Sequence, residues 1–310
     1  MPDIVVTEFM DEAAVRDLAT EFDVLYDATL VDRTDELRSL AASCRALIVR
    51  NRTRVRGELL TAATRLQAVG RLGVGLDNID VEACKTRNIA VLPATGANDV
   101  SVAEYVITGV LVLLRGAYHS SAEVAAGKWP RNKLIGREIG GRRLGLIGFG
   151  GIARETAKRA AALGMEALAY DPYLPADHPA WNQIGVRRTP LDKLLATSDA
   201  VSLHVPLTPD TRNLIDAAAL GQMPNHAVLV NAARGGVVEE AALARALREN
   251  RLGGAMLDVF ESEPLPADSV LKGVPNLILT PHIAGVTEES NTRVSAVTAT
   301  NIRKALKERA

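Results

Sequence analysis

The 310-residue chain carries 36 lysine and arginine residues against 37 aspartate and glutamate residues, which gives a net charge of −1. Such a balance excludes the strongly basic surface that nucleic-acid binding requires, so we expect no nucleic-acid partner. The length suits two domains, and a hydrophobic content of 47% is typical of a globular protein with a substantial core.

The sequence also argues against export, membrane insertion and metal or disulfide chemistry. Residues 1–7 lack the basic segment of a signal peptide and lead directly into a predicted strand. The longest apolar run, around residues 110–114, ends at Arg115 and is too short to span a bilayer. Cys44 and Cys84 are too few and too far apart for a metal motif or a disulfide framework. We therefore expect a cytoplasmic protein with buried thiols, no metal and no membrane partner.

The first 97 residues alternate short β-rich runs with helical patterns, which predicts a parallel sheet flanked by helices. The predicted strands are residues 4–7, 24–26, 46–49, 68–70 and 89–92, and the predicted helices are residues 11–20, 35–42 and 57–63. A long helix is then predicted over residues 97–115, with Asn98 or Ser101 as its N-cap. This helix would lead the chain out of the first domain.

A second alternation begins at Leu144 and predicts a second parallel sheet. Its predicted strands are residues 144–147, 167–170, the vicinity of 186, 200–203, 228–231, 255–259 and 277–279. A final helix, predicted over residues 288–308 with a cap near Thr287, has no strand after it and should pack back on the first domain.

The predicted fold class is therefore α/β, with two Rossmann-like lobes built on parallel sheets. One domain is discontinuous and contains residues 1–97 plus 285–310, and the other contains residues 98–284. Because ligands of such folds bind beyond the carboxyl ends of the strands, we expect the ligand in the cleft between the lobes.

The stretch Gly148-Phe-Gly-Gly-Ile-Ala153 lies between a predicted strand and a predicted helix, and the strand that follows ends on Asp171. This order is the dinucleotide-binding fingerprint, although a glycine-rich turn by itself also occurs in other α/β proteins. Gly148 would form the tight turn, Gly150 would admit backbone N–H groups to a pyrophosphate, and the helix N-terminus would add partial positive charge. Asp171 would accept hydrogen bonds from the adenosine ribose and would repel the 2′-phosphate of NADP. We therefore expect NAD as the cofactor.

Three further groups follow predicted strands of the second domain. Arg234 precedes two glycines, which would expose a guanidinium able to bind a carboxylate through two hydrogen bonds. Glu261 and Glu263 follow another strand, and His282 follows a third. Each is more often structural when taken alone. Together they supply what hydride transfer from a hydroxy acid needs: a cation for the carboxylate, a general acid–base, and a carboxylate that orients the base.

Ordered motifs along nearly the whole chain resemble those of the NAD-dependent D-isomer-specific 2-hydroxyacid dehydrogenases. Besides the glycine fingerprint they are Gly73-Val-Gly-Leu-Asp-Asn-Ile-Asp80, Asn98-Asp-Val-Ser-Val-Ala-Glu104, Gly127-Lys-Trp129, Ser202-Leu-His-Val-Pro-Leu-Thr208, Asn231-Ala-Ala-Arg-Gly235, Leu257-Asp-Val-Phe-Glu261 and Thr280-Pro-His-Ile-Ala-Gly285. The resemblance implies a flavodoxin-like substrate domain and an NAD-binding domain. It also implies a homodimer formed through the NAD-binding domain, with a contribution from residues 118–139.

The resemblance implies roles for the candidate catalytic residues. Arg234 would bind the substrate carboxylate and carbonyl, and His282 would be the acid–base. Glu263, directly before Pro264, would pair with His282, and Glu261 is the less favoured partner.

The resemblance also implies the cofactor contacts. Backbone groups of Gly151 and Ile152 would hold the pyrophosphate. Asp258 would lie near the nicotinamide carboxamide, and His204 and Pro206 would line the adenine side. The full set of implied cofactor residues is Gly148, Gly150, Gly151, Ile152, Asp171, His204, Pro206, Ala232, Ala233, Arg234, Asp258, His282 and Gly285.

The substrate loop of the family corresponds here to Arg50-Asn-Arg-Thr-Arg-Val-Arg56, which carries four arginines. The implied substrate residues are Arg50, Asn51, Arg52, Val74, Gly75, Asn98, Arg234 and His282. If Arg50 or Arg52 meets a second anion, the substrate is 3-phosphoglycerate or 3-sulfolactate rather than lactate. The arginine run can also be a solvated strand end. The D arrangement of lactate is named S in sulfolactate, because the sulfonate branch outranks the carboxylate.

Two other functions remain open from the sequence. One is an NADPH-dependent glyoxylate or hydroxypyruvate reductase, which the charge of Asp171 disfavours. The other is an NAD-sensing co-regulator that acts by binding partners, which the complete set of Arg234, Glu263 and His282 disfavours. Because the sequence stops at Ala310, we expect no regulatory domain like that of the long phosphoglycerate dehydrogenases.

Overall fold

The structure is a computed structural model that describes residues 1–182 and 185–309. The chain divides into two compact units. One contains Met1–Asn98 together with the residues from Val286 onward, and the other contains Asp99–Gly285. Each unit has its own parallel sheet, which confirms the predicted α/β class with two parallel sheets.

The first unit is built on a five-stranded parallel sheet with the strand order β2-β1-β3-β4-β5. This is the flavodoxin-like order. Its strands are β1 (Ile4–Val6), β2 (Val24–Tyr26), β3 (Ala46–Val49), β4 (Ala68–Arg71) and β5 (Ala90–Pro93). Its helices are α1 (Glu12–Ala19), α2 (Thr34–Ala41), α3 (Gly57–Ala62) and α4 (Val81–Thr86), with a 3₁₀ turn at Leu30–Asp32.

The central strands of this sheet are buried on both faces. Every residue of β1 and β3 is buried, so these strands appear in the sequence as continuous apolar runs rather than as alternating patterns. The C-terminal helix, Glu288–Lys307, covers one face close to β4. A side chain at Gly70 would come within 2.8 Å of Thr298 and 2.9 Å of Ile302, so only glycine allows this close approach.

The second unit is built on a seven-stranded parallel sheet with the order β12-β11-β10-β9-β6-β7-β8. Its strands are β6 (Arg143–Ile147), β7 (Glu166–Tyr170), β8 (Arg187–Arg188), β9 (Ala200–Leu203), β10 (Val228–Asn231), β11 (Gly254–Leu257) and β12 (Leu277–Leu279). Its helices are α5 (Asp99–Arg115), α6 (Ser121–Ala125), α7 (Gly151–Ala162), α8 (Leu191–Thr197), α9 (Ala217–Gln222) and α10 (Glu240–Arg248), and the C-terminal helix of the first unit is α11. The order reverses between β6 and β9, which is where doubly wound folds bind ligands.

Of the two helix caps that the sequence predicts, Thr287 forms the capping hydrogen bonds, whereas Asn98 stands at the N-cap position of α5 without a side-chain capping bond. Thr287 caps α11 through a capping box in which its hydroxyl accepts the N–H of Ser290. By contrast, α5 begins at Asp99, Ser101 lies inside it, and the buried side-chain oxygen of Asn98 accepts no hydrogen bond among the described residues. The Asn98 side chain therefore does not turn back onto the helix N–H groups as a cap must.

The described residues offer two buried thiols, no single membrane-spanning helix and no metal-binding cluster. Cys44 and Cys84 are buried, and burial raises the pKa of Cys44 to about 12. Within residues 1–182 and 185–309, no single helix is long and apolar enough to cross a membrane. Taken together, α5 and the helical segment Tyr118–Ala125, which are bent by 72° relative to each other, meet the criteria of length and apolarity. In the same residues, no group of three or more His, Cys, Asp or Glu side chains is placed to hold a metal ion.

Candidate active site

The glycine turn after β6 has the geometry of an anion-binding loop. Gly148 has a φ of 87°, and a Cβ there would lie 2.5 Å from the carbonyl oxygen of His204, so no other residue fits. Gly150 is the N-cap of α7, no side chain caps the helix, and the space where a Cβ would stand is open. The first N–H groups of α7 are therefore available to a phosphate, as a dinucleotide requires.

Asp171 at the end of β7 ties this turn to the sheet. One of its oxygens accepts the N–H of Phe149 at 2.9 Å, and the other accepts those of Tyr173 at 2.9 Å and Leu174 at 3.2 Å. A carboxylate has about four acceptor positions, so one remains for a ribose hydroxyl. The sequence suggested only the ribose contact. The bond to Phe149 adds a structural role, because it fixes the shape of the glycine turn.

His204 follows β9, the strand that lies next to β6 at the point where the strand order reverses. Its Nε2 is buried and has no hydrogen-bond partner among the described residues. Burial lowers the pKa of His204 to about 3, so the imidazole is neutral at ordinary pH. A buried polar atom without a partner is costly, so this nitrogen suits a site that a ligand completes. The uncapped helix, the open space at Gly150 and this nitrogen all fit a bound dinucleotide.

The turn after β10 presents Arg234. The buried Asn231 side chain closes this turn, because its amide donates to the Arg234 carbonyl at 2.9 Å and its oxygen accepts the Ala233 N–H at 3.0 Å. Gly235 is required next, since a Cβ there would lie 1.7 Å from the Phe260 carbonyl oxygen. Asn231 was not among the predicted site residues, although an asparagine that ends an apolar strand is a usable signal.

His282 and Glu263 form a hydrogen-bonded pair. The Nδ1 of His282 lies 2.8 Å from one oxygen of Glu263, and the other oxygen accepts the N–H of Phe260 at 3.0 Å. Because a carboxylate only accepts, Nδ1 carries the proton in this contact and Nε2 is left for a substrate. Glu261 instead lies 3.7 Å from Arg212 and donates its backbone N–H to Glu240.

Asp258 holds the backbone on both sides of His282. The carboxylate is 1% exposed and accepts the Thr280 hydroxyl at 2.6 Å and the N–H groups of Ile283 and Ala284 at 2.8 Å. The Asp258 carbonyl also accepts the His282 N–H at 2.8 Å. These bonds fix His282 with a φ of 54°, in the left-handed region that few residues other than glycine adopt.

The strand order brings these groups to one edge of the second sheet. Arg234, Glu263 and His282 follow β10, β11 and β12, which are adjacent and parallel. Asn231 pairs with Leu257, and Leu257 pairs with Leu279, so the three strands end at the same level. Among the other positions that the resemblance implies, Pro206 is exposed. The rest are half-buried: Val74, Gly75, Ile152, Ala232 and Gly285.

In the first unit, the arginine loop after β3 is organised by Glu8, which was not predicted. This carboxylate, 4% exposed, accepts the N–H groups of Arg50 at 2.8 Å, Arg52 at 3.1 Å and Thr53 at 3.0 Å. An acidic residue two positions after a buried strand was the available signal. The backbone of the loop is therefore fixed, whatever its side chains bind.

The two candidate arginines have different surroundings. Arg50 donates to the Asn291 side chain at 2.7 Å and lies 5.8 Å from the centre of the Phe9 ring, and its burial lowers its pKa. Arg52 is exposed and forms an ion pair with Asp32. Asn51 beside them is exposed. Arg52 is thus the more accessible cation, and a bound anion would share it with Asp32.

Comparison with known proteins identifies what the chain is similar to. The family described as "D-isomer specific 2-hydroxyacid dehydrogenase, NAD binding domain" matches residues 107–284. The chain is 60% identical over 310 residues to the (S)-sulfolactate dehydrogenase of Chromohalobacter salexigens, with the whole of both chains covered. It is 37% identical to the D-3-phosphoglycerate dehydrogenase of Methanocaldococcus jannaschii, covering 99% of this chain and 58% of that longer protein.

A solved structure gives the same result for the fold. The D-lactate dehydrogenase of Aquifex aeolicus, complexed with NAD and lactic acid, superimposes with a TM-score of 0.87 at 28% identity. The match covers 98% of this chain and 96% of that one. These findings confirm the resemblance drawn from the motifs and the prediction of NAD as the cofactor.

Replacing Asp171 with alanine should weaken NAD binding by roughly tenfold or more, because the acceptor position available to a ribose hydroxyl and the bond to the Phe149 N–H are both lost. Titration of the apoprotein with NAD by calorimetry measures the change. Asp177→Ala, an exposed carboxylate of the same loop, is the matched control and should leave the affinity unchanged. Equal affinities for the two variants would contradict the role of Asp171.

Proposed function

The chain belongs to the D-isomer-specific 2-hydroxyacid dehydrogenases, and on this premise we propose that it oxidises (S)-3-sulfolactate to the 2-oxo acid with NAD. The observation that carries the proposal is the 60% identity, over the whole of both chains, to an (S)-sulfolactate dehydrogenase. Oxidation of a 2-hydroxy acid with NAD is the activity of the family.

The pair of His282 and Glu263 supports a proton transfer at the substrate hydroxyl. NAD, when bound, supplies the acceptor for the hydride that leaves C2. We infer that His282 Nε2 takes the hydroxyl proton as the carbonyl forms, because Nδ1 is engaged by Glu263 at 2.8 Å. The Glu263 carboxylate keeps the ring in this orientation and stabilises the imidazolium that results.

The cations divide between the two ends of a dianionic substrate in this proposal. Arg234 binds the C1 carboxylate, to which its planar guanidinium can donate two hydrogen bonds. Arg52 and Arg50 bind the sulfonate, supported by the loop geometry that Glu8 imposes. 3-Phosphoglycerate, with a similar second anion, is the alternative substrate, and the similarity to D-3-phosphoglycerate dehydrogenases favours testing it.

A homodimer is supported by exposed apolar side chains in residues 118–139 of the second unit. Tyr118 is 66% exposed, Trp129 is 75% exposed and Ile135 is 81% exposed. Such large apolar groups close together in sequence are typical of a surface that a second protein covers. We propose that a second copy of this chain covers them.

We also infer that the enzyme works in the cytoplasm, where the NAD pool and the reducing conditions suit its chemistry and its two unpaired cysteines. Recovery of the protein outside the cytoplasmic fraction of its host would contradict this inference.

Replacing His282 with alanine should lower kcat by about 10²- to 10⁴-fold, because the proton loses its acceptor. NAD affinity should stay within about twofold, since the glycine turn is untouched. Steady-state rates and an NAD titration test both points. His226→Ala is the matched control, because His226 contacts the Asp199 carboxylate at 3.0 Å near the amino ends of the strands. Substantial turnover by the His282 variant would refute the assignment.

With NAD, (S)-3-sulfolactate should give a higher kcat/KM than 3-phosphoglycerate, D-lactate, D-glycerate or 2-hydroxyglutarate. Arg52→Ala should raise the KM for sulfolactate by roughly tenfold or more, through loss of a charged hydrogen bond, and change the KM for lactate little. Arg54→Ala, exposed in the same loop, controls for charge alone. If Arg50→Ala and Arg52→Ala both leave the sulfolactate KM unchanged, the second-anion site is not in this loop.

The protein should sediment with twice the 33.0 kDa mass of one chain. A double substitution, Trp129→Asp with Ile135→Asp, should give a monomer, because two exposed apolar contacts become charged. Tyr173→Asp, an equally exposed aromatic outside this segment, should leave the dimer intact. A monomeric wild-type protein at micromolar concentration would overturn the proposal.

A further inference from the structure

We propose that Tyr105 is a positioning residue for His282 and acts on it through Thr280 and Asp258. The proposal rests on the proposed role of His282 as the acid–base. The Tyr105 hydroxyl lies 2.5 Å from the Thr280 hydroxyl, which in turn lies 2.6 Å from the Asp258 carboxylate. Tyr105 is on α5, 175 residues from Thr280 in sequence, and takes no part in the motif chemistry described above.

The hydroxyl protons of Thr280 and Tyr105 determine which group donates in each of these bonds. The Asp258 carboxylate can only accept, so the single hydroxyl proton of Thr280 is donated to it. Thr280 then has only acceptor capacity left for Tyr105, and the Tyr105 hydroxyl must be the donor. The result is a directed chain in which Tyr105 sets the rotamer of Thr280, and Thr280 supplies one of the hydrogen bonds of Asp258.

Tyr105 remains a donor throughout the working range of the enzyme. It is half-buried against the apolar cluster beside α5, and burial, which is the larger effect, raises its pKa to about 12. The hydroxyl is thus protonated at any pH at which the enzyme would turn over. Because Tyr105 stands on a helix of 17 residues, its hydroxyl has a defined position from which to hold the loop that contains Thr280.

The segment that Tyr105 would hold in place contains a non-glycine residue with left-handed backbone geometry. His282 has a φ of 54°, and Asp258 accepts the N–H groups of Ile283 and Ala284 that follow it. Without the Tyr105 hydroxyl, the Thr280 hydroxyl can rotate toward other acceptors and Asp258 loses a hydrogen bond. The His282 ring would then spend less time against Glu263, while the glycine turn keeps its geometry.

The test uses Tyr105→Phe in the full-length protein, with whichever 2-hydroxy acid the wild type oxidises best. We expect kcat to fall about three- to tenfold with little change in NAD affinity, the range that loss of one hydrogen bond gives. The KM for the hydroxy acid should change by less than about twofold, because the groups that would bind it are untouched. A purely structural role would lower the urea midpoint and change kcat and KM together.

Thr280 provides the internal controls. Thr280→Val should reproduce the loss in kcat, Thr280→Ser should restore most of the rate, and the double variant with Tyr105→Phe should be no slower than Thr280→Val alone. Tyr26→Phe removes a partly buried hydroxyl in the first unit and should have no effect on rate. Wild-type kcat in Tyr105→Phe, or losses that multiply in the double variant, would overturn the proposal.

His282→Ala separates this inference from the proposed function. If that variant stays active, the acid–base assignment fails, and the role of Tyr105 fails with it. If it is inactive and Tyr105→Phe matches the wild type in kcat and KM, only the positioning role is wrong.

Discussion

The buried carboxylate of Asp258 is the group that holds the segment around His282 in place. It accepts a hydroxyl and two backbone N–H groups, and the carbonyl of the same residue accepts the N–H of His282. A buried carboxylate is stable only when such donors surround it, so the segment after β12 has little freedom to adopt another shape. That restriction gives an exposed histidine a defined orientation toward Glu263.

Two other loops are also held by a carboxylate that accepts backbone N–H groups. Glu8 accepts three N–H groups of the arginine loop, and Asp171 accepts one from the glycine turn and two from the segment after β7. Glu8 lies two residues after β1 and Asp171 directly after β7, where a parallel sheet leaves the next loop without ladder partners. Backbone groups that are satisfied in this way need no water. The loops therefore keep their shape without relying on hydrogen bonds from their side chains.

This division suits an enzyme whose cofactor carries out the difficult step. The protein has to hold a carboxylate, move one proton and choose among similar hydroxy acids. The first two tasks belong to Arg234 and the pair of His282 and Glu263 in our proposal, and the choice belongs to the side chains of the arginine loop. Because that loop is fixed through its backbone, its side chains can change with little effect on the fold.

The sequence alone determined the α/β class, the two parallel sheets, the NAD cofactor and the family, because strand runs, the glycine turn and ordered motifs are local signals. It could not determine what depends on contacts between residues far apart in the chain. The motif before Pro264 already favoured Glu263 over Glu261 as the partner of His282, and the structure shows that contact. Only the tertiary structure showed that the Asn98 side chain makes no capping hydrogen bond to α5 and that Tyr105 reaches Thr280. The physical reason is that the partners of a side chain depend on which strands and helices become neighbours in the fold. Sequence periodicity shows where each element lies, but it does not show which elements become neighbours.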